Sequence, residues 1–325
     1  MSTLTVADIP VSVENPAQRL RRIAAAVRVR LRWWGVHRAL THSQKEEIGA
    51  AASADARLLT AGKKLIDSRH EAVRRLTSVR TRLTNFWRGL SLPYTEPGVR
   101  LIRQADVETF VHGMEEFRDE LAEAENGLDA AFDEIKADAQ RRLGRLFNPG
   151  DYPQNVRGLF GVEWDFPSVE PPSYLMRIAP EVYEQERQRV TARFDEAVRL
   201  AEQAFATEFA RLLSHLTERL GEGESGQRKV FRDSAVANLS EFFSRFDQLN
   251  VRSNPDLDRL VAQAQELVQG VKPQDLRDND GLRRLVASEM AGVQTSVERM
   301  IVDAPRRRII RPQVNGDGGN HAAAG

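Results

Sequence analysis

The sequence predicts a mainly α-helical protein: a long, coiled-coil-like antiparallel helical hairpin, a small β-element near the N-terminal end and a short C-terminal helical bundle. Three observations predict it. Val107, Phe110, Met114, Phe117, Leu121, Ala124, Leu128, Phe132, Ile135, Ala139, Leu143 and Leu146 step by three and four residues without a gap, which is the spacing of one helix face. A second stripe, Val190, Phe194, Val198, Ala201, Phe205, Phe209, Leu212, Leu216 and Leu220, repeats every eleven residues. That period favours straight or slightly right-handed packing over a left-handed heptad coil. Val27, Val29, Leu31 and Trp33 alternate with Arg28, Arg30 and Arg32, the period of a strand.

In chain order, Pro16 to Ile23 holds a helical turn, and residues 26–34 form the strand. Residues 41–66 are Ala-rich and polar, a helix broken at Gly49 and Gly62, and residues 68–87 are helical with Val73, Leu76, Leu83 and Phe86 on one face. Thr95-Glu96-Pro97-Gly98 separates two short apolar runs, and Pro-Gly marks a turn, so a β-hairpin is expected between 87 and 102. Pairing it with the opening strand gives a three-stranded sheet. One uninterrupted helix is expected from 106 to 146, and a second starts near Pro180, where a first-turn proline sacrifices no needed N–H. The segment between them, 147–179, is too long for an ordinary connection and is expected to be a packed or functional elbow. Shorter helices are expected at 228–249, 255–269 and 281–302, followed by a disordered, basic, then Gly-rich tail. The expected parts are therefore a basic α+β part over 1–105, the hairpin over 106–220, short helices over 227–302 and the tail over 303–325.

Composition narrows function. The chain has 325 residues, with 41% hydrophobic and 29% charged, enough to build a packed core. Lys and Arg number 47 against 47 Asp and Glu, so there is no global pull towards nucleic acid or lipid. The balance hides a split. Residues 1–88 hold 17 basic and 7 acidic residues, and residues 103–147 hold 6 basic and 12 acidic. Such a split marks either a binding face or two segments that attract each other. The absence of cysteine removes disulfides, thiolate metal sites and Cys nucleophiles, and fits a reducing compartment. The opening residues lack a basic stretch followed by an apolar core, and no window nears the roughly 18 apolar residues of a membrane helix. A soluble, cytoplasmic protein is expected.

Chemical motifs fail their context. Gly221-Glu-Gly-Glu-Ser-Gly226 has the spacing of a dinucleotide fingerprint, but it follows a long helix and carries two acids that repel phosphate, so a helix–helix linker is expected. Gly62-Lys63-Lys64 lacks the first glycine and the hydroxyl of a phosphate-binding loop. The six histidines form no metal-binding spacing, and Glu115, Glu116, Asp119, Glu120 and Glu123 are a solvated face or a dock for basic residues. No catalytic residue, cofactor or metal is predicted.

Two candidate surfaces remain. Arg28, Arg30 and Arg32, with Lys63 and Lys64 nearby in sequence, suit phosphate contacts, and Trp34 suits stacking on a base. The competing reading is an edge strand whose arginines face water or the acidic helix. Phe147, Tyr152, Phe160, Trp164 and Phe166 in the elbow either pack the hairpin tip or bind a protein partner, packing being the commoner use of aromatics.

Leu146 to Pro153 (LFNPGDYP), Phe160 to Phe166 (FGVEWDF), Phe231 to Leu239 (FRDSAVANL) and the pair Leu249-Asn250 carry a resemblance. Over most of residues 25–300 the chain resembles a family of uncharacterised helical proteins, a domain of unknown function encoded by bacteriophages and bacterial mobile elements. The resemblance brings no activity or catalytic residue. It implies gene neighbours of the MoxR-type ATPase class and hence an adaptor role. The expected function is a non-enzymatic scaffold or adaptor binding a protein partner, with homo-oligomers open and no membrane. The alternative is a nucleic-acid-binding accessory protein of phage replication or recombination.

Overall fold

The computed structural model describes residues 15–221 and 233–303. The linker expected at 222–226, the disordered tail expected beyond 303 and the first fourteen residues lie outside them. The protein is mainly helical with a small antiparallel sheet. In order it runs α1 (Pro16–Ile23), β1 (Ala24–Arg32), β2 (His37–Ala39), α2 (His42–Ala52), β3 (Gly62–Lys64), α3 (Glu71–Gly89), β4 (Ser91–Pro93) and β5 (Val99–Arg103). Then follow α4 (Val107–Ala130), α5 (Phe132–Leu143), β6 (Gly161–Asp165), α6 (Leu175–Ile178), α7 (Pro180–Leu220), α8 (Ser234–Leu249), α9 (Pro255–Val268), α10 (Pro273–Asp278) and α11 (Asp280–Asp303).

The chain divides into two compact units. The first comprises Met1–Phe205 and Ala237–Asp258, and the second comprises Ala206–Val236 and Arg259–Gly325.

In the first unit, the sheet has the order β4-β5-β1-β6, all antiparallel. β1 is therefore an interior strand, flanked by β5 and β6, not the edge strand that its arginines suggest. The expected hairpin is present as β4 and β5, with Gly98 at φ 78° supplying the left-handed turn conformation that a side chain disfavours. The fourth strand, β6, comes from the elbow. Val27, Val29, Ile102 and Val162 share one face of this sheet and are buried with Leu83, Phe110, Met114 and Leu121 of the helices. On the opposite face, Leu92, Val99 and Leu101 are also buried, and the ring of Tyr94 lies 5.7 Å from that of Phe194. A small separate ribbon pairs β2 with β3.

The helix predicted from 106 to 146 is two. The chain departs from helical form at Ala131 (φ −94°, ψ 0°) between α4 and α5. Periodicity misses the break because it keeps phase: Leu128 and Phe132 remain buried on either side. The helix lying antiparallel along α4 is α3. Arg75 pairs with Glu123 at 3.0 Å and Arg82 with Glu120, while Phe86 contacts Phe117 and Phe110 further along. Gly113 permits this close approach, since a Cβ there would come 2.3 Å from the ring of Phe86. The basic and acidic halves of the sequence thus meet within one unit.

In the second unit, Val286, Met290, Val293 and Val297 of α11 form a buried stripe at helical spacing, and Leu213 and Leu216 of α7 are also buried. Arg283, only 6% exposed, donates to the carbonyl oxygens of Leu220 at 2.8 Å and Arg219 at 2.9 Å. It caps the last turn of α7, where unpaired carbonyls and the helix dipole favour a cation.

Candidate protein-interaction site

The sheet face that carries the three arginines of β1 is electrically matched by its neighbours. Arg28 lies opposite Asp165, Arg30 opposite Glu163 and Arg32 opposite Gly161, and opposite residues of an antiparallel pair share a face. Arg28 donates to Glu96 at 2.9 Å and Arg30 pairs with Asp165 at 3.0 Å. The row therefore does not present three free cations. Arg32 differs. It is exposed, its guanidinium lies across Gly161, and a Cβ on that glycine would come 2.8 Å from Nη2. No carboxylate pairs with Arg32 among the described residues.

Two other candidate nucleic-acid contacts point inward. Lys63 is 7% exposed, donates to the Leu146 carbonyl at 2.5 Å and lies 2.8 Å from Asp151 Oδ2. That oxygen accepts no directed hydrogen bond, so the contact is an ion pair. The ammonium that sequence alone offers to phosphate is committed to joining β3 to the elbow. Trp34 is half-buried against the hydrophobic core, in a T-shaped contact with Phe132 whose centroids are 6.0 Å apart. Lys64 is exposed but faces a different cleft, of about 500 Å³, shared with Asp67, Arg69, His70, Asp138 and Arg142. There Asp67 accepts from Arg69 and, at 2.6 Å, from Arg142, and those partners hold its carboxyl well below the usual range, Arg69 foremost.

The elbow is pinned to α4 by carboxylates. Asp129 accepts from the Val156 N–H at 3.0 Å and from Arg157 at 2.6 Å, and Glu125 accepts from the Phe160 N–H at 3.0 Å. The Val156 bond, then Arg157, lowers the pKa of Asp129. Three of the five elbow aromatics are packing groups. Tyr152 is buried and donates its hydroxyl to Leu65 O at 2.8 Å, Phe147 leans on Tyr152 at 5.2 Å, and Phe160 meets Trp33 edge-on at 4.9 Å. The other two reach the surface. Phe166 is 43% exposed with its ring 6.2 Å from that of Phe110. Trp164 is half-buried under the guanidinium of Arg118, 5.5 Å from the ring centre.

These groups converge. Beside β6 runs a groove of about 450 Å³ whose lining includes Arg32, Arg118, Ala122, Phe160 and Trp164 together with Glu125 and Glu163. One residue from the arginine row and two from the aromatic elbow, more than a hundred positions apart in sequence, share this site. Arg118, Ala122, Glu125 and Glu163 were not foreseen. For Glu163 the signal was the alternation of Val162, Glu163, Trp164 and Asp165, hidden in a Pro- and Gly-rich stretch. β6 ends the sheet, and among the described residues none of its residues makes a backbone hydrogen bond beyond its pairing with β1.

The chain matches no protein-family model, no curated protein and no solved structure. Among the described residues, no three His, Asp or Glu side chains come together to hold a metal ion, and no helix is long and apolar enough to cross a membrane.

Proposed function

We propose that the protein is a non-enzymatic scaffold or adaptor whose working surface is the groove beside β6. The observation that carries this reading is the open edge of β6 lying next to Trp164 and two arginines, Arg32 and Arg118. An uncovered edge offers main-chain donors and acceptors to an added strand. Tryptophan and arginine are among the residue types enriched where interface energy concentrates. In this reading α3 and α4 are the frame, and Glu125 and Asp129 of α4 hold the elbow in place. The phage and mobile-element resemblance adds a bacterial cytoplasm as the setting and a MoxR-type ATPase system as a candidate partner. The nucleic-acid alternative draws less support, because Arg28 and Arg30 are matched by acids and Lys63 is buried.

The test is affinity capture from a bacterial lysate with the wild-type chain and with Trp164→Ala, helicity being checked by circular dichroism. A protein captured by the first and lost from the second is expected. Capture indifferent to Trp164 overturns the reading.

A further inference from the structure

We infer that the groove beside β6 is filled by a second copy of this chain, joined edge to edge through β6 about a two-fold axis. The inference rests on the reading of that groove as a protein-binding surface and names its occupant.

The two edges of the sheet are not equivalent. β4 is three residues long and ends in Pro93, which has no N–H to give. β6 is five residues long, contains no proline and, among the described residues, leaves its outer backbone groups without a partner.

Antiparallel pairing of β6 with itself about an axis normal to the sheet keeps each face on its own side. The strand must therefore centre on one residue. Centred on Glu163, it sets Glu163 against itself. Centred on Trp164, it sets Glu163 against Asp165. Both place like charges directly opposite, which destabilises a sheet. Centred on Gly161, it pairs little more than the strand's first residues. Centred on Val162, it sets Gly161 opposite Glu163 of the second copy. Arg32 lies across Gly161, so its guanidinium meets that carboxylate, and symmetry makes the contact twice. Arg32 and Glu163 are the two charges on this face that have no ion-pair partner among the described residues.

The helix behind the groove repeats the pattern. On α4, Arg118 and Glu125 flank Ala122, four residues before it and three after. An axis passing near Ala122 brings Arg118 towards Glu125 of the second copy, and the small alanine lets the two helices approach. The four charges at the groove, Arg32, Arg118, Glu125 and Glu163, cancel and are complementary to themselves. A foreign strand of one charge sign satisfies one pair and is repelled by the other, which favours a copy of the chain over an acidic or basic peptide.

Sedimentation equilibrium and light scattering on the full chain test this, with Arg32→Glu, Glu163→Arg and the double exchange compared at matched helicity. The wild type is expected to have the mass of two chains at micromolar concentration. Each single exchange creates two like-charge contacts per dimer and is expected to weaken it by about tenfold or more. The double exchange is expected to restore it. A monomeric wild type, single exchanges that dimerise like the wild type, or a double exchange that stays monomeric each overturns the inference. A monomer whose lysate partner still depends on Trp164 overturns this inference and leaves the adaptor reading standing. A charge-dependent dimer with no Trp164-dependent capture supports the inference and removes the adaptor reading.

Discussion

Arg100 directs two hydrogen bonds at a single residue, Ser91: Nε to the hydroxyl and Nη2 to the carbonyl oxygen, each at 2.7 Å. The Ser91 hydroxyl in turn donates to the Trp87 carbonyl at 2.5 Å, in the last turn of α3. A half-buried guanidinium of the sheet is thus tied to a helix C-terminus, where the dipole favours a cation. Burial, followed by the nearby Arg88 and Arg245, pushes its pKa down to about 10, which leaves it charged at neutral pH.

Ser91→Ala is expected to lower stability by about 2 kcal/mol, because it leaves a largely buried charged donor without one acceptor. Urea denaturation at neutral pH measures it. A loss no larger than that of an exposed Ser→Ala change counts against the role given to this link.

Lys63→Met is expected to cost about 3 kcal/mol, since removing one partner of a buried pair strands Asp151 and the Leu146 carbonyl. Lys63→Met combined with Asp151→Leu should recover part of that loss. Thermal denaturation of the two variants gives the comparison, and equal losses would refute the pairing.

Stability should fall in acid through Asp129 and Asp67, whose carboxyls are held below their ordinary range in the folded protein. For a carboxylate depressed in this way, the contribution is fully present above its unfolded pKa, near 4, and disappears as pH drops through the folded value. Asp129→Asn is expected to flatten the dependence of stability on pH below about 4 and to raise hydrogen exchange at Val156. An unchanged acid slope contradicts the assignment.

Much of this fold was legible in the sequence where a segment has one dominant environment. β1 alternates because its Val27–Val29 face meets the core while its arginine face meets acids. The β4–β5 hairpin was legible from its Pro-Gly turn, and α7 from its stripe and Pro180. Readability failed where the information is held by a partner. Nothing local in Gly161–Asp165 says that it will close the second side of β1. Nothing local in Lys63 says that Asp151 will bury it. The break at Ala131 is silent because the stripe continues across it. The site itself was half legible: Arg32, Phe160 and Trp164 stood out by type, but their convergence depends on β6 pairing with β1. The charge asymmetry was visible as two alternatives, and the contacts of Arg75 and Arg82 with α4 choose attraction within the chain.

The interior position of β1 has a consequence for synthesis. β1 leaves the ribosome well over a hundred residues before its second neighbour, β6, which is made only at Gly161–Asp165, and the first unit is completed by Ala237–Asp258 after part of the second has already been translated. The nascent chain therefore carries an apolar, half-paired strand through much of its elongation, the kind of segment that chaperones shield and that pairs wrongly when neighbouring chains are crowded on one message.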